Sequence, residues 1–182
     1  MACQPPLLAT LPVLGYAIFA VFVLSLQRRR RWRLPDVTLL FWRIASLSII
    51  AAAGLWFISP LWPTVYSNQG GLLWGVLIIV GFGVSAINGM LYKIVPFLVW
   101  LHLQSGGGRG RLTNMKEIIP DARARRQWWL HCVGLCLLTG AVWWPAWFAT
   151  AGALVIGLSC LLLWRNLLAA YRMYRRLITT GP

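Results

Sequence analysis

From Ile44 to Tyr92 the chain runs for 49 residues without Asp, Glu, Lys or Arg. A water-soluble domain keeps charged side chains on the solvated faces of its elements and does not leave so long a stretch bare. A hydrocarbon layer about 30 Å thick takes roughly 20 apolar residues as a helix rising 1.5 Å per residue. The run is therefore long enough for two crossings and the connection between them. Two further stretches free of these residue types, Met1–Gln27 and Gln127–Trp164, extend the pattern. A mean hydropathy of +0.71 and a hydrophobic content of 59% agree with it. The sequence predicts an all-α integral membrane bundle, one domain over residues 1–182.

Five transmembrane helices fit, at Leu7–Leu26, Val37–Ser59, Gly71–Tyr92, Gln127–Phe148 and Thr150–Ala170. Their connections alternate in charge. QRRRRWRLPD, spanning 27–36, holds five arginines, whereas PLWPTVYSNQG holds none. The 104–126 connection has six basic residues against two acidic ones, the WWPAW turn has no charge, and the tail adds three arginines. Short loops rich in Lys and Arg remain cytoplasmic. The expected topology thus has the N-terminus out, the C-terminus in, and loops 27–36 and 104–126 inside. Arg43, Lys93 and Arg165 lie near the inner ends of their helices, so all 17 basic residues can reach one face. There they would meet anionic lipid. Trp56, Trp62, Trp74, Trp143, Trp144 and Trp147 gather toward the outer face, and Trp32, Trp42, Trp100, Trp128 and Trp129 toward the inner one, as an aromatic belt does. The first helix reads as a retained anchor rather than a cleaved signal.

The net charge of +14 suggests nucleic acid only until its placement is considered. Basic residues confined to membrane-proximal loops serve topology, and SGGGRGR reads as a flexible linker, so nucleic acid is not expected as a partner. Cys132 and Cys136 stand one turn apart on a helix and read as small packing residues. Paired carboxylates, a nucleophile elbow, a phosphate loop and zinc-spaced ligands are all missing from the sequence, so it offers no catalytic or metal residues.

Within the third span Gly81, Ser85 and Gly89 recur every four residues and form a groove for a neighbouring helix. Ala149, Ala153 and Gly157 make a similar stripe on the last span. Asn88 is costly against lipid, so it is expected to face protein and bond across a helix contact. Lys93 should arrive at the inner headgroups, Pro96 should break or bend the helix, and Trp100 should lie in the interface. His102 and His131 both fall toward the cytoplasmic side and are the only candidate cofactor ligands, with haem the group two imidazoles would hold.

The stretches GMLYKIVPFLVWLHLQ, NMKEIIP and RRQWWLH resemble a bacterial membrane family distantly similar to the catalytic subunit of haem-copper oxidases. The similarity is to the C-terminal half of its orphan members. The matching residues are Gly89, Tyr92, Lys93, Pro96, His102, Asn114, Met115 and Pro120, within roughly Gly71 to His131. The resemblance implies a helical bundle and a respiratory or nitrogen-oxide context. Oxidase subunits bind their metals with several histidines buried in the spans, and this chain departs from that pattern, so oxygen reduction is not implied. The leading expectation is an inner-membrane accessory unit without catalysis of its own, associated with other membrane subunits or a second copy. A transporter or permease component and a haem- or metal-binding redox protein are the alternatives.

Overall fold

The computed structural model describes residues 7–29, 36–59, 68–105 and 118–179, and within them the chain is helical with no strand. Helix α1 covers Leu7–Arg28 and α2 covers Val37–Ile58. Helix α3, Asn68–Val76, passes directly into a π-helical segment, Leu77–Val84, and then into α4, Ser85–Ser105. Helices α5, Asp121–Ala141, and α6, Pro145–Thr179, complete the bundle.

Four helices are long and apolar enough to cross a membrane: Thr10–Arg28, Val37–Ile58, the continuous Asn68–Gln104, and Pro145–Ile178. The fourth expected span, Gln127–Phe148, falls on α5, Asp121–Ala141, which is 21 residues long and is not among the four. Its first turns contain Arg123, Arg125, Arg126 and Gln127, which dilute its apolar character. Arg123, Arg125 and Arg126, read from sequence as loop, thus lie in the first turns of a helix that starts at Asp121.

Local chemistry accounts for the boundaries. The Asp36 carboxylate accepts from the Thr38 amide at 3.1 Å, capping α2 and meeting the positive end of its dipole. The α5–α6 connection is a turn over Val142–Trp144, and Pro145 opens α6, where a missing amide proton costs nothing. This is the tight WWPAW turn expected from sequence.

Pro96 does not break the chain's longest apolar helix. Helix α4 continues through it to Ser105, and the proline is buried against the bundle. The apolar residues on either side still pack: Val95, Val99 and Trp100 lie against the core, so burial outweighs the lost hydrogen bond. At 37 residues the Asn68–Gln104 helix is about 55 Å long, well beyond a hydrocarbon layer of about 30 Å. Helix α6, with 35 residues, overshoots likewise. The two overhangs meet, with the rings of His102 and Tyr174 edge to face at 6.2 Å. The arginine-bearing tail is therefore helical as far as Thr179.

The principal core lies at this end of the bundle. Val37 and Phe41 of α2, Tyr92 of α4, Ala124 of α5 and Ala170 of α6 close around Ile118 and Ile119, which precede α5. Helix α2 is the most enclosed, with 50% of its apolar window buried, against 6% for α1 and 11% for each of the two long helices. Helix α1 contacts α2 along one side, where the Arg43 Nε donates to the Gln27 side-chain oxygen at 3.3 Å. Among the described residues, a cavity of about 400 Å³ separates α1 from α2 and the π-helical segment, lined by Tyr16, Ala52, Trp56, Trp74 and Phe82.

Candidate functional site, a buried polar seam

Glycine sets how closely α2 can approach the long helix. A Cβ placed on Gly81 would stand 2.7 Å from the Ser48 Cβ, and one on Gly89 would stand 3.2 Å from the Phe41 Cβ and 3.3 Å from the Thr38 carbonyl oxygen. The same device joins α5 to α6. A Cβ on Gly134 would meet the Ile156 side chain at 2.7 Å, and one on Gly152 would meet the Leu138 side chain at 2.9 Å. Small residues let backbones close in lipid, where apolar burial alone gives little drive to associate.

With the helices drawn together, polar side chains spaced along each of them fall onto one interior seam. Helix α4 contributes Ser85, Asn88 and Tyr92, α5 contributes Gln127 and His131, and α6 contributes Ser159 and Asn166. All seven are buried. Ser85 Oγ lies 2.8 Å from His131 Nε2, tying α4 to α5. The Gln127 side-chain amide donates to Ser159 Oγ at 2.9 Å, and that hydroxyl donates to the Gln127 main-chain carbonyl at 3.3 Å, tying α5 to α6. Asn166 Nδ2 donates to the Tyr92 hydroxyl at 2.9 Å, tying α6 back to α4. Phe41, fully buried, wedges in from α2, stacked on Tyr92 at 6.0 Å and tilted against His131 at 5.6 Å.

Ser85 also has the Val80 carbonyl within 3.4 Å, a contact made from the end of the π-helical segment. A hydroxyl has a single proton to give. Both contacts are satisfied when His131 carries its proton on Nε2 and donates to Ser85, leaving the serine proton for Val80. Each such bond contributes about 1 kcal/mol, whereas a polar group left unpaired in the interior costs about 1–3 kcal/mol. The seam's main energetic effect is therefore on register: a helix slipped by one residue strands its polar side chains.

The residues singled out from sequence have separate positions here. Gly81, Ser85, Asn88 and Gly89 are buried, the glycines against α2 and Ser85 against α5. The proposed ligand pair has dissimilar surroundings. His131 is 1% exposed inside the seam, whereas His102 is exposed, its Nδ1 2.8 Å from the Leu98 carbonyl oxygen. Among the described residues no group of three His, Cys, Asp or Glu converges as a metal site. Lys93 is exposed and Trp100 half-buried. Asn114 and Met115, part of the family resemblance, lie outside the described residues, as do Arg30, Arg31, Trp32, Arg33, Trp62, Arg109, Arg111 and Lys116.

The Ala149, Ala153 and Gly157 stripe does not form the contact expected of it. All three residues are exposed, and a Cβ on Gly157 would meet nothing within 4 Å. The packing face of α6 is instead Gly152, Ser159 and Asn166, spaced at seven residues, because that is where α5 and α4 supply partners. Sequence reasoning missed Tyr92, Gln127, Ser159 and Asn166 as seam members. Their signal was present in the four-residue spacing of Gln127 and His131 and the seven-residue spacing of Ser159 and Asn166, each one face of a helix. Compared with known protein families, curated proteins and solved structures, the chain matches none.

Proposed function

We propose that this protein is a non-catalytic packing or accessory unit of a larger assembly in the bacterial inner membrane. The observation that carries this reading is the use of the buried polar groups. The hydrogen bonds of the seam run from helix to helix, α4 to α5, α5 to α6 and α6 to α4, and so commit these side chains to holding the bundle. Helix α1 and the exposed small-residue stripe of α6 leave surfaces on which other membrane subunits or a second copy fit. The respiratory, haem/copper-related context rests on the resemblance of residues 71–131 alone.

In this reading α5 also crosses, as the fourth of five spans, the N-terminus is outside and the C-terminus inside. Exposed Arg43, Lys93 and Arg165 are compatible with the orientation, since a long basic side chain can reach the headgroups from within a helix. Separation of digitonin-solubilised membranes on a native gel tests the assembly. The chain is expected in a band well above its own 20.5 kDa, together with haem-staining subunits. Migration as a lone monomer contradicts the proposal.

A second reading has one observation in its favour. His131 is an imidazole deep in the bundle, the kind of group a redox cofactor uses. The visible-region spectrum of the purified protein in detergent separates the two. An accessory role predicts no haem band and no stoichiometric metal. A haem band lost on replacing His131 establishes the redox reading instead.

A further inference from the structure

The helix-to-helix bonds of the seam leave two polar atoms over. Asn88 is 2% exposed and Gln127 is 0% exposed. The Nδ2 of Asn88 and the Oε1 of Gln127 have no hydrogen-bond partner. Chemistry fixes which atom is spare on Gln127. The Ser159 hydroxyl gives its proton to the Gln127 main chain, so toward the Gln127 side chain it must accept, and only the amide nitrogen can donate. The oxygen is what remains. One spare atom is a donor and the other an acceptor.

They also lie at one level of the bundle. Ser85 faces His131 on α5, and Tyr92, further along α4, faces Asn166 on α6. Helix α6 in turn runs against α5, since Gln127 meets Ser159 while Gly134 faces Ile156. Helix α4 is therefore antiparallel to α5. From the Ser85–His131 contact, Asn88 lies three residues onward on α4 and Gln127 four residues back on α5. These steps are about 4.5 and 6 Å in the same direction.

We propose that Asn88 and Gln127 hold a buried water molecule, which accepts from Asn88 Nδ2 and donates to Gln127 Oε1. A metal cation is repelled by the amide N–H groups, and an anion by the amide carbonyl oxygen. The site needs a neutral species that both accepts and donates, and water is the smallest that does. The bridge links Asn88 of α4 to the Gln127–Ser159 pair, one turn from the Ser85–His131 bond.

The test uses the full chain in detergent micelles with its asparagines labelled with ¹⁵N. A long-lived buried water gives a magnetisation-transfer cross-peak to the Asn88 side-chain amide protons. That peak is expected in the native protein and lost in Gln127→Ala. In thermal unfolding, Asn88→Ala lowers the midpoint by roughly 5 °C, and Gln127→Ala by more, since it also removes the bond to Ser159. The double variant falls no further than the worse single one, because both remove the same bridge. No water cross-peak in the native protein overturns the proposal, as does a cross-peak that survives Gln127→Ala or a pair of losses that simply add. A direct amide-to-amide contact would give the coupling without the cross-peak. Should a variant fail to fold, the native cross-peak still decides.

Discussion

Replacing Gly81 with leucine is expected to lower the stability of the bundle by about 3 kcal/mol, the upper part of the range for forcing extra volume into a packed contact. The Cβ alone would approach the Ser48 Cβ to 2.7 Å, with the Leu135 side chain at 3.7 Å, and leucine adds three more carbons there. Gly89→Leu acts on the same interface about two turns further along the helix. There the Cβ clearance is 3.2 Å, so a loss of about 2 kcal/mol is expected. Leu77→Ile is the control, a volume-conserving change at a half-buried position with an expected effect under about 1.5 kcal/mol. Unfolding by titration with sodium dodecyl sulfate in mixed micelles ranks the three. Equal midpoints for Gly81→Leu and Leu77→Ile would show that α2 does not rest on this face.

His131→Ala is expected to be as damaging, at about 3 kcal/mol, for a different reason. It removes a ring that is 1% exposed, leaves a void beside Phe41, and takes away the 2.8 Å partner of Ser85. His102→Ala should change stability by less than about 1 kcal/mol, since that ring is exposed. The same denaturant titration compares them. If the two histidines prove equally dispensable, the seam is not what holds α4 against α5.

How far the sequence disclosed this arrangement depends on whether the cause was local. Apolar length between two polar connections put a span at Val37–Ser59, within one residue of α2, because apolar length and the Asp36 cap act over a few residues. Pro145 marked the α5–α6 turn for the same reason. Gly81, Ser85, Asn88 and Gly89 shared a face that periodicity could find. Pro96 was expected to break or bend its helix, and the helix runs through it unbroken. Its effect on α4 is set by what Val95, Val99 and Trp100 bury against, and that surface comes from other helices. The π-helical segment leaves no mark in hydrophobic spacing, since Leu77–Val84 is apolar throughout. Arg123, Arg125 and Arg126 made the first turns of α5 look like loop, although a helix can present arginines to the headgroups.

The seam was the least legible part. Tyr92 and Asn166 are 74 residues apart, and neither is conspicuous until α4 and α6 lie side by side. Small-residue stripes gave two candidate faces, one of which is buried and one exposed. Choosing between them requires knowing where α5 sits. Residue type indicated which side chains need a partner, and only the fold shows which partner each has.

The account rests on positive charge being kept to one side of the membrane, and labelling of single cysteines in right-side-out vesicles tests it most directly. The four native cysteines are first replaced by alanine, and cysteine is then introduced at Arg29, Arg123, Arg172 or Trp143, all exposed. With a membrane-impermeant maleimide, Trp143→Cys is expected to react in sealed vesicles. Arg29→Cys, Arg123→Cys and Arg172→Cys are expected to react only after permeabilisation. Labelling of any of these three arginine positions in sealed vesicles would contradict the account.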